Sequence, residues 1–154
     1  MKSNDERLLR SSSYRKEFFY NTPPDKYTKH GTPVYHCAYC GKALFPEELQ
    51  VDHIISVSYA KKHRGGRDKL IYYRMKDINS PKNLTAACPY CNISKGEKGG
   101  LWITKGFIGK NKYVWYVRKT IRWTLFIGLI VYLFWKRIVT PESILQFIKG
   151  PFFQ

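Results

Sequence analysis

Read for its alternation of apolar and polar positions, the chain changes character near residue 100. Before that point apolar residues come in short runs between charges, glycines and prolines; after it they merge into one long stretch. Residues 1–33, with "SSS" and "NTPPDKYTKHGTP", are polar and irregular and predict a short basic helix over Asn4 to Phe19 followed by a turn-rich linker. From Val34, "VYHCAYCGKAL" predicts a strand, a knuckle and a returning strand, and the β-branched "LQVDHIISVS" predicts a further strand. The segment "YAKKHRGGRDKLIYYRMKDINS", residues 59–80, is too long for a hairpin turn and reads as a basic insertion carrying a short helix or a flexible loop. In "LTAACPYCNISKGEKGG", residues 84–100, Cys88 suits an N-cap, Pro89 the first helical position and "EKGG" a glycine stop, which predicts a helix of two to three turns.

The run "WTLFIGLIVYLFW", Trp123 to Trp135, has no charge and no polar face at helical spacing. Its thirteen residues fall short of the roughly 20 that cross a bilayer. With Arg122, Lys136 and Arg137 snorkelling, however, Ile121 to Val139 offers about 28 Å of helix with tryptophans near both ends. The pattern predicts a membrane-spanning or membrane-inserted helix, with an oligomer-interface helix or a core element as alternatives. Lys105, Lys110, Lys112, Arg118, Lys119 and Arg122 precede the run and only Lys136, Arg137 and Lys149 follow it, which orients the N-terminal part to the cytoplasm. The expected organisation is therefore an α+β chain: 1–33 N-terminal helix and linker, 34–112 a compact module with its insertion at 59–80, 113–139 the hydrophobic helix, and 140–154 a short tail.

Charge changes this picture by naming a partner. There are 27 Lys and Arg against 11 Asp and Glu, a formal net charge of +16, and 23 of the cations precede residue 121. An excess of that size on a small folded unit points to a polyanion, either nucleic acid or an anionic membrane surface. A surface tuned only for solubility rarely needs so much. In the insertion, Lys61, Lys62, Arg64, Arg67, Lys69, Arg74 and Lys76 stand among Tyr59, Tyr72 and Tyr73. That mixture suits a DNA-tracking arm, since cations contact phosphates and aromatics stack on bases; a solvated loop is the plainer reading.

The cysteines fall in two close pairs, Cys37 and Cys40, then Cys88 and Cys91. Thiolates at that spacing converge on one tetrahedral zinc with little strain. Two disulfides would require a secreted chain, and "MKSNDERLLRSSSYRKEFF" has no apolar signal region, so a reducing compartment and bound zinc are expected. Between and after the pairs lie Asp52 and His53, Asn83, Asn92 and Lys95. If the pairs share one zinc, the strand after the first pair and the helix opening at the second are pinned side by side. Cys91 and Asn92 then point about 100° apart on the helix, so one faces zinc and the other a separate site, with Lys95 on the Asn92 face. A carboxylate and an amide oxygen make a hard site suited to Mg²⁺ or Mn²⁺, and an adjacent imidazole can take a proton from water at neutral pH.

Paired CxxC motifs, "DHI", "NL" before the second pair, and "CN" followed by a lysine together resemble the HNH endonuclease family, the ββα-metal fold in its four-cysteine zinc variety, over about Val34 to Lys98. The resemblance implies a DNA hydrolase with a structural Zn²⁺. In it, His53 is the general base, Asp52 and Asn92 hold the single divalent ion, Asn83 keeps His53 oriented and Lys95 contacts a phosphate. Asn92 stands where many relatives have histidine, an HNN form that favours Mg²⁺, and the proline and close glycines that often follow "DHI" are replaced by the basic insertion. With the hydrophobic helix, the expectation becomes a membrane-tethered nuclease with its catalytic domain in the cytoplasm, acting on entering or foreign DNA, with a homodimer and a regulatory or targeting protein as further partners. The alternatives are a non-catalytic zinc module that anchors nucleic acid at a membrane, and a soluble dimeric nuclease.

Overall fold

A computed structural model describes residues 4–136, which fall into two compact units divided between Trp115 and Tyr116. The first begins with two short helices, α1 (Asn4–Arg7) and α2 (Tyr14–Asn21). Three antiparallel strands follow, β1 (Lys26–Tyr27), β2 (Pro33–His36) and β3 (Ala43–Leu44), in the order β1-β2-β3. The knuckle Cys37–Lys42 joins β2 to β3 and closes with Cys37 N–H donating to Lys42 O at 2.9 Å. Gly41 takes φ +78° at its tip, and a Cβ there would lie 2.3 Å from the Trp115 ring. Both the turn and that close approach need glycine.

β4 (Gln50–His53) pairs antiparallel with β5 (Leu84–Ala87), placing Asp52 opposite Thr85 and His53 opposite Leu84. α5 (Pro89–Lys95) follows β5 directly and completes a ββα unit. Its start is as the residues predict: Cys88 is extended at the N-cap, its Sγ accepts from Cys91 N–H, and Gly96 ends the helix at φ +47°. The knuckle is stitched to this unit by Ala38 N–H, which donates to Ala86 O at 2.9 Å. All four residues of β5 are buried, so it is a central strand covered on both faces.

Two apolar clusters hold the unit. Phe18, Tyr35, Leu44, Leu49, Val51 and Leu84 form the first, beside the cysteines. Leu8, Ile54, Ile55, Leu70, Met75, Ile78 and Ile103 form the second, capped by α6 (Leu101–Gly109). These clusters correct one expectation. Residues 4–21 are not an appendage with one helix over Asn4–Phe19: the polar "SSS" breaks the helix, and Leu8 and Phe18 enter the two cores. In the insertion the short helix expected of it is found, and the flexible-loop alternative is not. The insertion folds as α3 (Val57–Lys62) and α4 (Arg64–Tyr72), and its Ala60, Leu70, Met75 and Ile78 supply the second core.

The last helix, α7 (Lys112–Trp135), runs across the division into the second unit. The expected membrane-spanning helix is corrected here: among the described residues no helix is long and apolar enough to cross a membrane. Lys112, Arg118, Lys119 and Arg122 occupy the first half of α7, which leaves only Trp123–Trp135 free of charge, about 20 Å of helix against a hydrocarbon core of about 30 Å. Arg137 to Val139 and the tail 140–154 lie outside the described residues.

Candidate active site and zinc knuckle

The four cysteine Sγ atoms lie within 4.8 Å of one another, with Cys40 and Cys88 at 3.9 Å. A tetrahedron with Zn–S bonds of about 2.3 Å has edges of about 3.8 Å, so the donor set fits zinc in number, chemistry and spacing. Burial pushes the Cys37 thiol up to about 11 and also raises Cys91. At Cys88 burial pushes the same way, but bonds from the Cys91 N–H and from the neighbouring thiols outweigh it and the net shift is downward. The Cys88 thiolate is thus favoured while Cys37 and Cys91 are held as thiols, and a central cation would offset the burial that opposes their ionisation. His36, which abuts Cys37, bonds Asp25 Oδ2 through Nδ1 at 3.0 Å and stays outside this set.

Asp52 and His53 close β4, both buried. Asp52 receives Tyr39 Oη on Oδ2 and the Lys95 ammonium on Oδ1 at 3.1 Å and Oδ2 at 2.9 Å. Lys95 gives a further bond to His53 O at 2.7 Å and is 0 % exposed. Its three donors are spent inside the protein. The phosphate contact expected of Lys95 is therefore corrected: the face it shares with Asn92 turns onto β4, and Lys95 is the counter-ion of Asp52. On the same face, Asn92 Nδ2 donates to Gln50 Oε1 at 2.7 Å. Gln50 and Asp52 share one side of β4, so the three-residue step from Asn92 to Lys95 on α5 runs beside the two-residue step from Gln50 to Asp52 on the strand, with Asn92 set against Gln50 and Lys95 against Asp52.

These donors fit a divalent ion narrowly. A carboxylate offers about four lone-pair sites; on Asp52 the Tyr39 hydroxyl takes one on Oδ2 and Lys95 one on Oδ1, with the ammonium also paired to Oδ2 at 2.9 Å, which leaves one site on each oxygen. With Nδ2 of Asn92 turned to Gln50, its Oδ1 is the end that can join Asp52.

Asn83 is 0 % exposed and grips the turn after His53: Oδ1 accepts from Ile55 N–H at 2.8 Å, and Nδ2 donates to Ile55 O at 3.1 Å and Ile78 O at 2.8 Å. It does not reach the imidazole. The His53 ring is met instead by Asn79 Oδ1, 3.2 Å from Nε2, and by the Tyr14 ring at a centroid distance of 5.2 Å. Burial lowers the basicity of His53 below its ordinary value of 6.5; the Asn79 bond and Asp52 oppose this, while Arg10 and Lys95 add to it. Arg10 is exposed, with its guanidinium 4.3 Å from the Tyr14 ring centroid.

Of the remaining expected nucleic-acid contacts, Lys61, Lys62, Arg64 and Arg74 are exposed. Lys62 pairs with Glu97 at 2.5 Å and Arg64 with Asp68 at 3.8 Å. Lys69 is half-buried, and Arg67 turns inward to Ala60 O at 3.0 Å and Lys61 O at 3.1 Å, closing the end of α3. Tyr72 is exposed, whereas Tyr59 and Tyr73 pack against the second core. Tyr39, Asn79, Gln50, Tyr14 and Arg10 were not expected at the site. Of these, Tyr39 lies inside the knuckle and Gln50 two residues before Asp52 of "DHI"; the other three had no motif beside them.

Residues 37–98 match the family model described as HNH endonuclease. The matched segment holds all four cysteines together with Asp52, His53, Asn83, Asn92 and Lys95, and begins after α1, α2, β1 and β2. This segment, stapled by the four-cysteine cluster, is thus similar to HNH endonuclease domains. No curated protein and no solved structure matches the chain.

Proposed function

We propose that this chain is a metal-dependent endonuclease that hydrolyses DNA phosphodiester bonds. The observation that supports it most is the ββα unit itself: a buried imidazole at the end of β4, a carboxylate next to it in the chain, and the Asn92 amide of α5 bonded to Gln50 on the same strand. His53 takes a proton from the attacking water, the water oxygen bonds to phosphorus, the bond from phosphorus to the 3′ oxygen breaks, and the departing oxygen takes a proton from solvent, giving 5′-phosphate and 3′-hydroxyl ends. Asp52 and Asn92 would hold a divalent ion such as Mg²⁺, which would supply positive charge against the developing anion. With Lys95 withdrawn to Asp52, Arg10 is the exposed cation of the site suited to a phosphate oxygen, and Lys61, Lys62, Arg64 and Arg74 contact the DNA backbone farther out. The membrane tether and the action on entering DNA have no carrier among the described residues, so the proposal is confined to the hydrolysis.

The test is relaxation of supercoiled plasmid by zinc-loaded full-length protein at low salt, with and without Mg²⁺, across pH. Cutting that requires Mg²⁺ or Mn²⁺ is expected; binding without cutting in either metal would favour the non-catalytic module. The pH profile carries a sign. A general base works neutral, and His53 is held below 6.5 by burial first. The rate therefore persists as pH falls through 6.5 and declines only below it. An acid limb centred above 6.5 would assign the base elsewhere.

A further inference from the structure

Asn79 lies on a segment strapped by the N-terminus: Ile78 N–H donates to Arg7 O at 2.9 Å, and Arg7 Nε donates to Lys76 O at 2.9 Å. Its carboxamide is fixed at both ends. Oδ1 accepts from Ser11 N–H at 3.0 Å and Nδ2 donates to Leu9 O at 2.7 Å, so the oxygen and nitrogen cannot be exchanged without breaking both bonds. The atom that meets His53 Nε2 at 3.2 Å is then an acceptor, and Nε2 must carry the proton. The basic lone pair falls to Nδ1.

We propose that Asn79 is the positioning residue for His53, and that the segment Arg7–Tyr14 works through it as a strap that holds the imidazole in its Nε2–H tautomer with Nδ1 as the proton acceptor. Asn83 and Asn79 then hold His53 at two different points, Asn83 fixing the backbone after it and Asn79 fixing the ring. Tyr14 adds a wall against the imidazole. The strap lies outside the matched family segment, so this support belongs to the chain's own N-terminal residues. A histidine free to take the other tautomer would spend its lone pair on the wrong side of the ring.

The inference rests on the nuclease reading for its purpose, but its geometry is testable apart from it. In zinc-loaded protein labelled with ¹⁵N-histidine, long-range ¹H–¹⁵N spectra report which ring nitrogen of His53 bears the proton above pH 7. Nε2 is expected in the wild type, and a mixture or Nδ1 in Asn79→Ala. A wild-type ring protonated on Nδ1 overturns the inference even if the enzyme cuts DNA. In the plasmid assay, Asn79→Ala should lower kcat roughly 10- to 100-fold, as loss of a group orienting an imidazole does, with KM little changed. Asn79→Asp keeps an acceptor for both Nε2–H and Ser11 N–H and should recover most of kcat. Equal loss in the Ala and Asp variants, or a fall shared by kcat and DNA affinity, overturns the positioning role. If the wild type cuts nothing in Mg²⁺ or Mn²⁺, the nuclease reading fails, and the tautomer spectrum still decides the inference.

Discussion

Stripping zinc from the purified protein abolishes its cooperative fold. Structural zinc contributes apparent free energies of about 10–16 kcal/mol in small zinc domains, as large as the whole stability of a typical domain of about 5–15 kcal/mol. Here the cluster joins the knuckle between β2 and β3 to the start of α5, adding to the Ala38–Ala86 bond and to the first apolar cluster that packs between them. Thermal melts followed by circular dichroism, with zinc counted by atomic absorption, check this: one zinc per chain and a melt lost on chelation. Cys88→Ser separates metal from helix capping, because serine is a good N-cap and restores the bond that Cys88 Sγ accepts from Cys91 N–H. A serine variant that loses both zinc and fold assigns the stability to the metal. One that keeps a wild-type melt would reduce the cysteines to a cap, two buried thiols and one exposed thiol.

The second large effect is expected at Lys95. Replacing it with alanine leaves the Asp52 carboxylate buried with Tyr39 as its remaining side-chain partner, and breaking a buried pair this way costs about 3–5 kcal/mol. Urea unfolding monitored by tryptophan fluorescence should show the midpoint fall with little change in slope. The double variant Lys95→Met, Asp52→Leu removes both charges and should regain most of that stability while losing the carboxylate required at the site. An alanine variant as stable as the wild type would mean that Lys95 reaches solvent after all, returning it to the role of a phosphate contact.

The two outcomes at Lys95 show where sequence reasoning reaches its limit. Helical spacing put Lys95 and Asn92 on one face of α5, and that face is real. Whether it meets water or β4 depends on how the helix packs, which spacing does not encode. The knuckle and the Cys88–Pro89 helix start were legible because each is a local backbone requirement carried by a particular residue type; the stop expected at "EKGG" falls earlier, at Gly96. The helix in the insertion was legible but its place in the core was not, because Ala60, Leu70, Met75 and Ile78 are scattered among cations; only the partners Leu8, Ile54 and Ile103 turn them into a core. Asn79 had no signal at all. Its partners Leu9 and Ser11 stand about 70 residues earlier and engage it through backbone atoms, which leave no mark on side-chain identity. For the helix after residue 112, counting apolar residues across Arg122 and Lys136 overstated the length free of charge.

The central claim, that His53 in this ββα unit hydrolyses DNA, is tested most directly by comparing plasmid cleavage rates of wild type and His53→Ala at matched DNA affinity in Mg²⁺. The expected result is metal-dependent nicking by the wild type, and a variant that binds equally well but cuts at least about 100-fold more slowly, as loss of a general base requires. A His53→Ala protein that cuts at the wild-type rate would contradict the account, because among the described residues no other imidazole meets Asn79 at the end of β4.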